Sequence, residues 1–232
     1  MNTTDLVQLL PLVVLGAIFG LDVVSFPQAM ISRPIVAATV AGALIGEPDR
    51  GLVMGVALEF FALESMPFGA SRYPEWGSAS VVGGFLFAHA ADGTPAAMSL
   101  AVLAALVTAG IGGSSMVVLR RWNAFWARQQ QQRIARGSGS AVVALQLMGM
   151  SSDLIRGGLI TLAALLVFVP IHTAAIATTT VSPTMSRAVV VSVASAVGLA
   201  AVWKVVRTTT GARWYLLAGL VIGFGLAGRL LA

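Results

Sequence analysis

The chain has 232 residues, of which 57% are hydrophobic and only 10% charged, with a formal net charge of +5 and a mean hydropathy of +0.90. A water-soluble domain carries about 25% charged residues to keep its surface solvated, so this composition excludes one and defines an integral membrane protein. Cysteine is absent, which excludes disulfides, thiolate nucleophiles and cysteine metal sites. The basic excess lies in the connections between apolar runs, where it orients a chain in a membrane, and nucleic acid is not an expected partner.

The apolar runs, in chain order, are roughly 6–26, 34–46, 51–71, 78–91, 95–119, 141–151, 157–181, 188–206 and 214–232. The start, Met1-Asn2-Thr3-Thr4-Asp5, has no basic segment, and no small-x-small site clearly follows the first run, so a cleavable signal peptide is not expected. A crossing helix needs about 20 residues to cover roughly 30 Å, a length met by 95–119, 157–181, 188–206 and 214–232. The run from Pro34 to Gly46 covers only about 20 Å at 1.5 Å per residue. It leads into the polar turn Glu47-Pro48-Asp49-Arg50-Gly51 and a second apolar run broken by acidic residues.

This pattern predicts a re-entrant helical hairpin, about 34–66, that enters the membrane without crossing it; a pair of steeply packed or distorted spans is the alternative. Interrupted segments persist at membrane depth only against protein or a water-filled cavity, and in transporters they mark the substrate site. The run 78–91, ending at Asp92-Gly93-Thr94-Pro95, is a second and weaker short element. Small residues such as Gly42, Gly46, Gly51 and Gly55 allow close helix approach.

Residues 120–139 break with their surroundings: Arg120-Arg121-Trp122, Trp126-Ala127-Arg128, a Gln129–Gln132 tract, Arg133, Arg136 and Gly137-Ser138-Gly139. They read as an interfacial helix and a flexible connection on the cytoplasmic side. The chain is thereby divided into an N-terminal membrane half, 1–119, a cytoplasmic basic connector, 120–140, and a C-terminal membrane half, 141–232. Lys204, Arg207 and Arg213 put the 204–213 connection on the same side, with the crossings 157–181 and 188–206 between. The expected fold is all-α, a polytopic integral membrane protein with transmembrane helices and short re-entrant hairpins.

An ionisable group at bilayer depth costs about 2.5–3.5 kcal/mol on insertion scales, so each needs a partner, a cavity or a function. Glu59, in Gly55-Val56-Ala57-Leu58-Glu59-Phe60-Phe61, is the sharpest case. It is either a carboxylate accepting bonds from the hydroxyls of a solute, a structural partner for Arg33 or Arg72, or a carboxyl kept neutral by burial. Glu64 lies about 140° further round the helix and forms no acid–base pair with it; beside Pro67 it reads as a turn-stabilising or path-lining group. Asp22 interrupts the first run, and Pro27 leaves Ser25 and Gln28 on irregular backbone. Gln28 both donates and accepts, which suits reading hydroxyls.

Arg33, before Pro34, reads as an anchor or ion-pair partner. The segment Pro67 to Gly77, with Arg72, is either a path lining or an interfacial loop. Asp153 and Arg156, at i,i+3, can neutralise each other. His89 and His172 support no metal site, and no nucleotide-binding or hydrolytic motif is present. No cofactor and no catalysis by this chain itself are expected.

The stretch LDVVSFPQAMISRPIVAATVAGALIG, then EPDRGLVMGVALEFFALESMPFGASRYPEWG, resembles the membrane C component of the mannose/fructose/sorbose class of bacterial sugar phosphotransferase systems. The matching pattern is an acidic residue, a Gln shortly before Arg-Pro, a short apolar run ending in Gly with an acidic turn, then Gly-x3-Leu-Glu. A looser likeness continues through LQLMGMSSDLIRGGLITLAALLV and the last two runs. The resemblance implies a multi-pass subunit of the bacterial cytoplasmic (inner) membrane that pairs with a membrane component D in a hetero-oligomer and carries a hexose inward. Cytosolic A and B components would relay phosphate from phosphoenolpyruvate to the sugar. It further implies that Gln28 and Glu59 lie near the sugar, with Asp22 as neighbour, and that the hairpin belongs to a moving core. The alternative is a scaffold or sensor descended from such a subunit. The chain is short for the family, and its Gln tract is its own.

Overall fold

The computed structural model describes residues 3–23, 25–64, 73–91, 93–178 and 210–231, with isolated positions between 182 and 203. Every regular element among them is helical: α1 (Thr3–Asp22), α2 (Pro34–Ala43), α3 (Pro48–Glu64), α4 (Trp76–His89), α5 (Pro95–Gln129), α6 (Gln131–Ala135), α7 (Gly139–Thr178) and α8 (Ala212–Leu231). The all-α membrane architecture expected from composition is the one observed. The crossing expected over 188–206, with Lys204 and Arg207, falls almost entirely outside the described residues.

Among the described residues two helices, α5 and α7, are long and apolar enough to cross a membrane. At 1.5 Å per residue, α5 with 35 residues and α7 with 40 measure about 52 and 60 Å. One face of α5, with Leu103, Val107 and Ile111 at four-residue intervals, is exposed. In water such a face would drive aggregation, whereas lipid tails solvate it. The opposite face is built from small residues, Ala101, Ala105, Thr108 and Gly112, all buried, which lets neighbouring backbones approach.

The expected hairpin is α2 and α3. Pro34 pushes Arg33 out of the helical region, to φ −60°, ψ 138°, and occupies the first helical position, where its missing N–H leaves no bond unmade. Gly46 ends the first arm in a left-handed turn (φ 82°), and Pro48 opens the second. The arms run antiparallel in close contact. A Cβ on Gly55 would lie 2.8 Å from Ile35 Cα, and one on Gly42 would lie 2.8 Å from Gly51 Cα.

The hairpin rests on α4, only 14 residues long and buried from Gly77 to Ala88. At about 21 Å it is shorter than the hydrocarbon layer, and it packs against α1, α2, α3, α5 and α7. The backbones of α2 and α4 touch at Gly84, whose added Cβ would meet Ala38 Cα and O at 2.7 Å. Gly84→Leu is therefore expected to destabilise the protein by about 3 kcal/mol or more through overpacking, read as a lower melting midpoint in detergent. An unchanged midpoint would mean that the hairpin and α4 do not pack as described.

The basic segment differs from its expected form. It begins not as a separate interfacial helix but as the last turns of α5, which continues unbroken to Gln129. Arg, Ala and Gln are good helix formers, and nothing there interrupts the hydrogen-bond ladder. Beyond the short α6 the reversal is made at Gly137 (φ 79°). The runs 141–151 and 157–181 are likewise a single helix, α7, through Thr178, because Ser151-Ser152 breaks no backbone bond.

Candidate functional site

Polar groups concentrate where α1 ends, α2 and α4 begin, and α5 and α7 pass alongside. After Asp22 the chain leaves helical geometry. The Phe26–Pro27 peptide is cis, and Gln28 (φ 58°) and Met30 (φ 60°) adopt left-handed backbone. Asp22, 2% exposed, organises this turn: Ala29 N–H donates to Oδ1 at 2.7 Å and Ser32 N–H to Oδ2 at 3.0 Å. Its carboxylate is thus committed to the loop's own backbone, and Gln28 immediately precedes the first of the two anchored amides on an exposed stretch.

Glu59 faces the beginning of α2. Gly51, Gly55 and Glu59 recur every fourth residue, which puts all three on the α3 face packed against α2. Arg33 donates to Glu59 Oε1 in an ion pair, and Ile35 N–H donates to Oε2 at 3.2 Å. A carboxylate here satisfies an otherwise unpaired amide at a helix N-terminus and meets the positive end of its dipole. Of the partners expected, Arg33 is found in place, and Arg72 lies outside the described residues. The two side chains are 40% and 19% exposed, so the pair is not sealed. Each carboxylate oxygen carries two acceptor positions, and among the described residues these bonds use one on each.

Asp22, Gln28, Arg33 and Glu59 are therefore linked through one loop: Asp22 holds Ser32, and its neighbour Arg33 holds Glu59. The Glu64 side chain, Arg72 and the rest of 65–72 lie outside the described residues, so this candidate path lining is not placed. Glu75, expected within it, is fully buried instead. It caps α4 by accepting the Ser78 N–H at 3.1 Å, and Gly112 leaves room for it on α5. The Arg120 guanidinium lies 5.3 Å over the Tyr73 ring, and its Nη2 donates to the Tyr73 hydroxyl at 2.9 Å.

Asp153 and Arg156 form the expected i,i+3 pair, with Nη2 2.8 Å from Oδ1. What the residue types did not foretell is its reach: Ser25 Oγ donates to Asp153 Oδ2 at 2.6 Å. His172 sits within α7, its Nε2 2.9 Å from Ala97 O, and His89 stacks on Phe85. No group of three or more metal-ligating side chains occurs among the described residues.

Spanning helices, a short hairpin and a short enclosed helix meeting at a polar irregular loop define an all-helical integral membrane protein with interrupted helices. The model of the family described as PTS system sorbose-specific IIC component matches residues 6–230, and the chain belongs to that family of membrane sugar-permease components. It is similar to the fructose permease IIC component of Bacillus subtilis (strain 168), 26% identical over 149 residues, which are 64% of this chain and 54% of the relative. It is also similar to the PTS system sorbose-specific EIIC component of Lacticaseibacillus casei, 28% identical over 76 residues, 33% of this chain and 27% of the relative. These matches span about half and about a quarter of the relatives' lengths. A solved chain described as "Structure of membrane protein" shares the fold, with a TM-score of 0.72 at 18% identity, covering 100% of this chain and 94% of that one.

Proposed function

We propose that the chain is the translocating C subunit of a phosphoenolpyruvate-dependent hexose uptake system in a bacterial cytoplasmic membrane, working with a membrane D component. Phosphate would be relayed by cytosolic A and B components, and this chain would supply the passage and part of the sugar site. Gln28 and Glu59 would contact hydroxyls, Arg33 would hold Glu59 in place, and Asp22 would shape the loop that presents Gln28. The observation that carries the reading is the loop 25–33 itself, a polar irregular backbone joined to Glu59 of the hairpin through Arg33. Irregular backbone at membrane depth belongs beside a cavity, and the family match supports a sugar as its solute.

The Arg33–Glu59 pair also favours a second reading, in which Glu59 only fastens the hairpin and the chain is a scaffold or sensor. The test is uptake of labelled mannose, fructose and sorbose by cells lacking other hexose carriers and expressing this chain with its D, A and B partners. Accumulation of sugar phosphate that needs both this chain and phosphoenolpyruvate is expected. No accumulation of any of the three by the intact, membrane-inserted set would favour the scaffold.

A further inference from the structure

The loop between α1 and α2 is gripped from two sides by carboxylates from opposite halves of the chain. Asp22 holds its far end through Ala29 and Ser32. Asp153, 4% exposed on α7, holds its near end through the Ser25 hydroxyl at 2.6 Å. Oδ1 of Asp153 is taken by Arg156 Nε and Nη2, both at 2.8 Å. Arg156 also donates to Ser115 Oγ on α5 at 3.3 Å and to Gly20 O on α1 at 3.4 Å. A buried pair repays its desolvation only when its remaining sites are bonded, and here one oxygen is directed outward to an exposed loop residue. Gln28, between the two grips, and Met30, between the two residues that Asp22 holds, adopt left-handed backbone. Such conformations persist only where the surroundings over-determine them.

We propose that Asp153, oriented by Arg156 and acting through Ser25, is a positioning residue for solute recognition. Together with Asp22 it fixes the loop so that Gln28 is presented without an ordering cost on binding. The proposal rests on the transport reading above. Preorganisation of this kind acts on affinity, so loosening the grip should move half-saturation and spare the maximal rate.

Ser25→Ala removes the bond while leaving the buried pair intact. It is expected to raise the sugar concentration for half-maximal uptake about tenfold, the equivalent of one hydrogen bond of ordinary strength, with maximal uptake within about twofold. Ser25→Thr, which keeps the hydroxyl, should restore it. A second readout is independent of transport. Because the chain has no cysteine, Ala29→Cys takes a single nitroxide label at an exposed loop position next to Gln28, and its spectrum should narrow when Ser25→Ala is added. An unchanged spectrum overturns the grip. A narrowed spectrum with unchanged half-saturation overturns the role in recognition. Absence of uptake by the unaltered protein overturns the transport reading, and with it the recognition role, while the spectrum still decides whether Asp153 holds the loop.

Discussion

Glu59→Gln is expected to lower phosphoenolpyruvate-dependent hexose uptake about a hundredfold, from two charge-assisted hydrogen bonds at about 1.5 kcal/mol each. Among the described residues Arg33 and Ile35 use one of the two acceptor positions on each carboxylate oxygen, and an amide offers only one oxygen in place of two. A purely electrostatic role within the carrier predicts a different pattern, because Glu59 would then matter only as the neutraliser of Arg33. Arg33→Gln made together with Glu59→Gln removes both charges. If Glu59 serves only to neutralise Arg33, uptake recovers in the double variant, and if Glu59 contacts the sugar it stays low. Recovery, or near-normal uptake in Glu59→Gln alone, takes Glu59 out of the sugar site. Gln28→Ala, at an exposed position, should cost about tenfold.

Arg156→Ala is expected to destabilise the protein by about 3–5 kcal/mol, because it leaves Asp153 charged and unpaired inside the bundle. For a chain of this size that corresponds to a fall in the detergent melting midpoint of about 10 °C or more. Replacing both members, Asp153→Leu with Arg156→Met, removes the buried charges altogether and should recover most of the midpoint, since apolar side chains of similar volume substitute for such pairs at little or no cost. A midpoint unmoved by Arg156→Ala would mean that water reaches the pair and that it holds neither α1 nor α5.

The hairpin was legible because it depends on local chemistry: a run too short to span, a polar turn, and a proline opening each arm. Asp153–Arg156 was legible because i,i+3 neighbours on a helix meet whatever surrounds them. Glu59 stood out as a charge needing an answer, but its partner depended on register. The signal was present in Gly51, Gly55 and Glu59, whose fourfold spacing puts the carboxylate on the side where α2 starts. Ser25 and Asp153 are 128 positions apart, and no periodicity links them. Glu75 read as part of an amphipathic loop because its burial comes from the helices enclosing α4, which its neighbours in sequence do not reveal. The continuation of α5 through Arg120–Gln129 shows composition and propensity pointing apart: arginine and tryptophan suit a membrane surface, yet the backbone had no reason to stop.

Arg50 joins the tip of the hairpin to the end of α4, donating to Ala90 O and, at 3.5 Å, to Ala88 O, with Glu47 beside it at 3.5 Å. At the other end Arg33 and Glu59 tie the two arms together. A lever fastened at both extremities has no joint of its own. If the hairpin travels, α4 must travel with it as one block, and the bending has to fall in the stretches of chain leading into and out of that block.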